Sequence, residues 1–250
     1  MCLIAWNWQP HSATPLLLVA NRDEFYARPS SPLHWWPNQS VLAGRDLQAG
    51  GSWLGLSRNG RMAALTNYRQ PVADKAAKPS RGTLVADFLL GDMDASSYLA
   101  DLAPRTDRYN PFNLLVFDGQ QLMGLESRHQ RVFAVAPGLG AVSNADFGTP
   151  WPKLVRLQAG LQKQCDARQT QVSDLLPLLQ DRRTTTDAEL PQTGVPLETE
   201  RMLSAVFVAS AHYGPRASSV LAVHQQGAHF FEQSYAEHGM LGATQQFFTP

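Results

Sequence analysis

Cys2-Leu3-Ile4-Ala5-Trp6-Asn7-Trp8, at the head of the chain, is the stretch on which the fold turns. Its apolar and aromatic run reads as a strand. The polar segment Gln9-Pro10-His11-Ser12 separates it from a second apolar run over residues 15–20, so the two read as a hairpin. Cys2 carries chemical as well as packing information. Methionine is normally removed before so small a residue, and a mature Cys2 then presents a thiol and an α-amine together. The ordinary pKa of that amine, about 7.7–8.0, suits it to take a proton from a thiol near ~8.5. Such a nucleophile needs no histidine or serine elsewhere. The competing assignment is a small apolar residue ending a buried strand.

Working outward, strands are expected at 52–56 and 62–67 around Asn59-Gly60, and at 112–117 and 121–125 around Asp118-Gly119. Both dipeptides suit tight turns with positive φ. Further strands are expected at 131–136 and 141–144, and a three-strand meander at 202–210, 218–224 and 228–233. Helices are expected at 83–90 with a stop at Gly91, after an Asp94 cap up to Pro104, from Pro152 onward, and after a Ser173 cap. Residues 181–200 lack a period and read as a long loop. Strands and helices are segregated rather than alternating, which argues for antiparallel sheet and an α+β class. Neither repeats nor a low-complexity linker divide the chain, so residues 1–250 are expected to form a single domain.

Composition narrows the function. In 250 residues, 21 basic side chains balance 21 acidic ones. Nothing electrostatic therefore points to nucleic acid. Cys2 and Cys165 cannot build a disulfide framework, which fits a reducing compartment. There is no basic leader, and no apolar run approaches the ~20 residues a span requires. The expected home is the cytoplasm, without a membrane-spanning segment. The seven histidines, His11, His34, His129, His212, His224, His229 and His238, show no ligand spacing, so no metal site is expected. Neither a GxSxG motif nor a Gly-rich loop opening a helix is present.

The residues following the second apolar run, Val19-Ala20-Asn21-Arg22-Asp23-Glu24-Phe25, contain an Asn-Arg-Asp-Glu tetrad. With Met1-Cys2 ahead of it and Gly50-Gly51-Ser52-Trp53, Thr66-Asn67-Tyr68-Arg69, Ser80-Arg81-Gly82, Ser143-Asn144 and Thr149-Pro150-Trp151-Pro152-Lys153 behind it, the chain resembles the NRDE family. That family is also called the Transport and Golgi organisation protein 2 family. The resemblance implies an N-terminal nucleophile hydrolase fold, a four-layer αββα sandwich.

A more distant similarity, to bile-salt hydrolases and penicillin acylases, implies the site. Cys2 would attack an amide carbon. Arg22 would lower the thiol pKa by its charge and Asp23 would orient the α-ammonium. Asn67 and Asn144 would donate to the oxyanion, and Arg216 would hold the α-amine or clamp a carboxylate. Asn21 or Glu24 is the alternative residue facing the thiol. Trp35 and Trp36, on a Pro-rich loop, are candidates to line a pocket for an apolar or flat ligand, or to pin that loop. Two activities follow as expectations. One is a hydrolase of a non-peptide C–N amide bond in a small, partly apolar substrate, requiring no cofactor. The other is a carrier that holds haem as cargo in the same cleft, since family members have been linked to haem handling and trafficking.

Overall fold

The computed structural model describes residues 2–37, 40–71 and 78–248. Among the described residues, thirteen strands form two antiparallel sheets. The first sheet has six strands in the order β10, β1, β2, β11, β12, β13, where β1 is Cys2–Trp8, β2 Leu16–Phe25, β10 Gly138–Val142, β11 Tyr213–His224, β12 Gly227–Ala236 and β13 Gly239–Phe248. The second holds β3 to β9 in sequence order: Ser30–Trp35, Val41–Asp46, Leu54–Ser57, Met62–Asn67, Phe112–Phe117, Leu122–Glu126 and Arg131–Ala134. Helices α1 (Gly82–Leu90) and α2 (Ala95–Leu102) cover the second sheet. Helices α3 (Pro152–Asp166) and α4 (Val172–Leu179) cover the first, and α5 (Leu197–Leu203) follows α4. The architecture is the four-layer αββα sandwich.

Strand alternation explains the layering. On β1, Ile4, Trp6 and Trp8 point between the sheets and meet Leu42, Leu54 and Phe117, while Leu3 and Ala5 point outward to Leu154, Leu157 and Leu161 of α3. On the second sheet, Val41, Ala63, Leu114 and Val116 meet Leu84, Val85 and Phe88 of α1. Both predicted turn glycines take the left-handed conformation, Gly60 at φ 77° and Gly119 at φ 98°. Asp94 caps α2 by accepting the Ser97 amide at 2.8 Å. α4 is capped by Gln171 with Asp174 reciprocating, two residues before the expected Ser173.

Four expectations are corrected. β2 does not stop at residue 20. It runs through the whole tetrad to Phe25, because β11 pairs with it as far as Tyr213↔Phe25. The Pro-rich segment holding Trp35 is strand β3, and β4 follows it. Residues 202–210 are not a strand: α5 ends at Leu203, and Ala205 to Val208 run buried and irregular because β11 already occupies the edge of β2. The third strand of the C-terminal meander is instead β13.

Gly51 joins the layers. A Cβ there would lie 2.3 Å from the Gly82 carbonyl carbon and 2.7 Å from the Thr83 amide, and Ser52 N donates to Gly82 O at 3.1 Å. Backbone meets backbone, so no flexible side chain can yield. Gly51→Ala is expected to cost about 1–3 kcal/mol by overpacking. Urea unfolding checks this, and a variant as stable as the parent would contradict the close approach.

Candidate active site

β1 and β2 pair from their outer ends, with Cys2 opposite Arg22. The Cys2 side chain, 8% exposed, opens into a cavity of about 650 Å³. Its wall takes Arg22, Asp23 and Glu24 from β2, and Asp46 to Trp53 from the β4–β5 connection. Arg28, the β6 residues Leu65 and Asn67, Asn110 and the segment from Lys78 to Gly82 at the start of α1 complete it. Of the Gly50-Gly51 pair, Gly51 is part of this wall.

The tetrad divides by alternation. Arg22 and Glu24 share the phase of Leu18 and Ala20, facing the second sheet, while Asn21 and Asp23 share the phase of Leu17 and Val19. The Arg22 guanidinium is held 3.3 Å from the Asp46 carboxylate and 4.1 Å over the Trp53 ring. Asp46 also accepts from Arg28 Nε at 2.7 Å and from the amides of Gln48 and Ala49 at 3.0 Å. Burial raises the Asp46 carboxyl, but these donors and charges outweigh it and hold it below its ordinary value.

The Cys2 thiol is not lowered overall. Burial pushes it up and Asp23 adds to that, while the chain's α-amine and Arg22 pull it down without prevailing. Arg22 acts in the expected direction, lowering the thiol, but burial outweighs it. Burial likewise pushes the Asp23 carboxyl up, opposed first by Lys153.

Asn67 lines the cavity, and its carbonyl accepts from Asn144 Nδ2 at 2.8 Å. Asn144 is fully buried and braces the site instead of facing the cavity. Its side-chain oxygen accepts from Ser143 and its carbonyl from Arg69 N at 2.7 Å. Asn21 is likewise off the cavity, donating to Leu179 O and Val206 O and accepting from Ser218 Oγ at 2.6 Å. Arg216 is corrected too. Its guanidinium donates to the carbonyls of Phe25, Tyr26, Arg28 and Tyr235, fixing the turn after β2. Neither Trp35 nor Trp36 lines the cavity. Trp35 packs on Phe248 and under Arg58, and Trp36 is buried against the α1 and α2 layer. Trp53 is the cavity's tryptophan. The Met1 expectation lies outside the described residues.

Sequence reading missed a buried cluster behind Asp23. Arg69 Nη1 meets Glu200 Oε2 at 2.7 Å, with both side chains buried, and Arg69 lies 4.5 Å over Trp151. Lys153, on the first turn of α3, is 2% exposed. Its position in the Thr-Pro-Trp-Pro-Lys segment was the available signal.

The family model described as Transport and Golgi organisation 2 matches residues 1–237. The chain belongs to that family. Among its relatives, the Transport and Golgi organization protein 2 homolog of Bos taurus is 36% identical, covering 97% of this chain and 94% of that protein. The homolog of Homo sapiens is 35% identical over 91% and 90%, and the Drosophila melanogaster protein 28% identical over 94% and 92%. Among solved structures, the C2A mutant of conjugated bile acid hydrolase from Clostridium perfringens superposes with TM-score 0.55 at 10% identity, covering 100% of this chain and 97% of that one. A Caenorhabditis elegans ortholog of N-acylethanolamine-hydrolyzing acid amidase gives TM-score 0.51 at 10% identity over 88% and 92%. The fold of this Transport and Golgi organisation 2 member is thus of the N-terminal nucleophile hydrolase type. Among its described residues, no helix is long and apolar enough to cross a membrane.

Proposed function

We propose that this protein is a Cys2-dependent hydrolase of a non-peptide amide bond in a small molecule. The carrying observation is the Cys2 side chain, first on β1, opening into a polar cavity beside Arg22, Asp23 and Asn67. The Cys2 sulfur attacks the amide carbonyl carbon, and the thiol proton passes to the α-amine of a mature Cys2 terminus. The C–N bond breaks, the amine leaves with that proton, and water then cleaves the thioester to a carboxylic acid. The Asn67 amide is the donor available to the developing oxyanion. The names of the two superposed proteins denote a hydrolase and an amidase, which supports the class without naming a substrate. A buried thiol above its ordinary pKa is consistent with a nucleophile that loses its proton only when substrate and base are in place.

The carrier alternative, with haem as cargo in the same cleft, has weaker support. No histidine lines this cavity among the described residues, and Cys2 is its one soft iron ligand.

The test uses protein isolated from its native host, with Met1 removal read by intact mass, incubated with a panel of N-acyl amides. An acyl mass added at Cys2, lost on hydroxylamine treatment and absent in Cys2→Ala, is expected. Processed protein that forms no adduct and releases no amine, but shifts haem absorbance stoichiometrically, would overturn the hydrolase reading in favour of the carrier.

A further inference from the structure

An open sheet edge offers amides and carbonyls that a further strand can take up, and folded chains usually guard it. Three of the four edges here are guarded. β3 carries Pro32 and a register shift between Ser31 and His34. β9 is four residues long, and its Arg131 guanidinium bonds Glu126 at 2.7 and 2.8 Å. β10 is five residues long, and its Leu139 and Ala141 carbonyls accept from Gln158 Nε2 at 3.4 Å and Gly148 N at 3.1 Å. The fourth edge, β13, is ten residues long. Among the described residues no strand lies beyond it, and Gly239–Phe248 holds neither a charged side chain nor a proline. Phe247 on it is 67% exposed. Its register with β12 slips once, at Leu241, where Gln233 Nε2 reaches the Gly242 carbonyl at 2.7 Å, and is regular from Gly242 to Phe248.

That regular segment, Gly242-Ala243-Thr244-Gln245-Gln246-Phe247-Phe248, complements itself when two copies run antiparallel. With Gln245 on a two-fold axis, Ala243 of one copy faces Phe247 of the other, Gly242 faces Phe248 and Thr244 faces Gln246. Directly opposed residues lie on the same face of the sheet, so each phenyl covers a small residue of the other copy. An aromatic laid over an edge glycine is a recognised way to steady an edge strand. No charge meets its like across the seam, and the axis makes every pairing occur twice.

We propose that β13 is a dimerisation edge, on which β13 of a second copy of this chain pairs antiparallel about Gln245 and joins the two six-stranded sheets into one. The seam makes no use of Cys2 and stands apart from the hydrolase reading. An interface built on one strand pair lies at the small end of the range, so a micromolar dissociation constant is expected.

Sedimentation equilibrium of the full chain under reducing conditions, at concentrations up to about 100 µM, is expected to show a reversible monomer–dimer equilibrium. Gln245→Lys sets two ammonium groups opposite each other and is expected to raise the dissociation constant roughly tenfold or more. Gln245 is exposed, so the substitution disturbs no core. In a Cys2→Ala, Cys165→Ala background, Gln245→Cys brings two thiols together across the axis, and mild oxidation is expected to yield a covalent dimer. Ala243→Cys, whose two sulfurs would sit far apart along the seam, is expected to yield none. A parent that stays monomeric throughout overturns the proposal, as does a dimer that Gln245→Lys leaves unchanged. Equal cross-linking at 243 and 245 also overturns it, and so does assembly beyond the dimer, which a closed two-fold seam forbids.

Discussion

Arg69→Met is expected to lose about 3–5 kcal/mol of folding stability, because it leaves the Glu200 carboxylate buried without its counter-ion. Glu200 is 4% exposed, and its other oxygen is already committed to Thr193 N at 3.0 Å, so it cannot turn to water. The pair also ties distant parts of the chain together. Arg69 N bonds Asn144 O, and its guanidinium covers Trp151 at the start of α3. Glu200→Leu alone should cost a similar amount by stranding Arg69. The double variant should recover much of the loss, since replacing both ions by apolar groups removes the desolvation cost. Urea unfolding of the four proteins measures the coupling. Two single losses below about 1 kcal/mol, characteristic of a surface pair, would contradict the buried assignment.

Glu232→Gln should remove a pH dependence of comparable size. Glu232 lies on β12 between the sheets, 1% exposed, accepting from Leu33 N at 2.8 Å and Ser234 Oγ at 3.3 Å. Burial pushes its carboxyl up to about 7, against these donors and the Arg22 charge. The sign follows from proton binding. Below about 4.5 both folded and unfolded chains hold the proton, and the group has no effect. Between about 4.5 and about 7 only the folded chain holds it, so stability falls as pH rises. Above about 7 the loss is complete, on the order of 3 kcal/mol. Gln keeps the acceptor for Leu33 N and cannot ionise. The parent should therefore lose stability relative to the variant between pH 4.5 and 8. A constant difference across that range would sink the prediction.

How much of this was legible in the sequence varies with the range of the interaction. Local signals succeeded: Asn59-Gly60 and Asp118-Gly119 marked two hairpins, the leucine and valine spacing marked α1, and Asp94 marked the α2 start. β3 was hidden because Pro32 sits in it. A proline is tolerated there because β3 is an edge strand whose register shifts between Ser31 and His34. β13 was hidden because most of Gly239–Phe248 is exposed on both faces, leaving no alternation to read. At the site, Cys2, Arg22, Asp23 and Asn67 could be picked because they lie within or beside recognisable motifs, and all four line the cavity. Asp46 and Glu200 could not, since each acquires its meaning from a partner brought close only by folding. Arg216 was misjudged for the same reason: its four carbonyl acceptors come from the end of β2 and the turn after it and from Tyr235 on β12, far apart in the chain.

The side-chain amide of Asn21, gripped by the Leu179 carbonyl of α4 and the Val206 carbonyl of the irregular segment after α5, acts as a phase lock for the motif. A one-residue slip of that strand would turn Asn21 and Asp23 to the face where Arg22 and Glu24 now point, changing the charges that line the cavity while leaving the backbone ladder intact. Mutational scans of the motif should therefore be interpreted by parity, with one pair of positions setting where the other pair points.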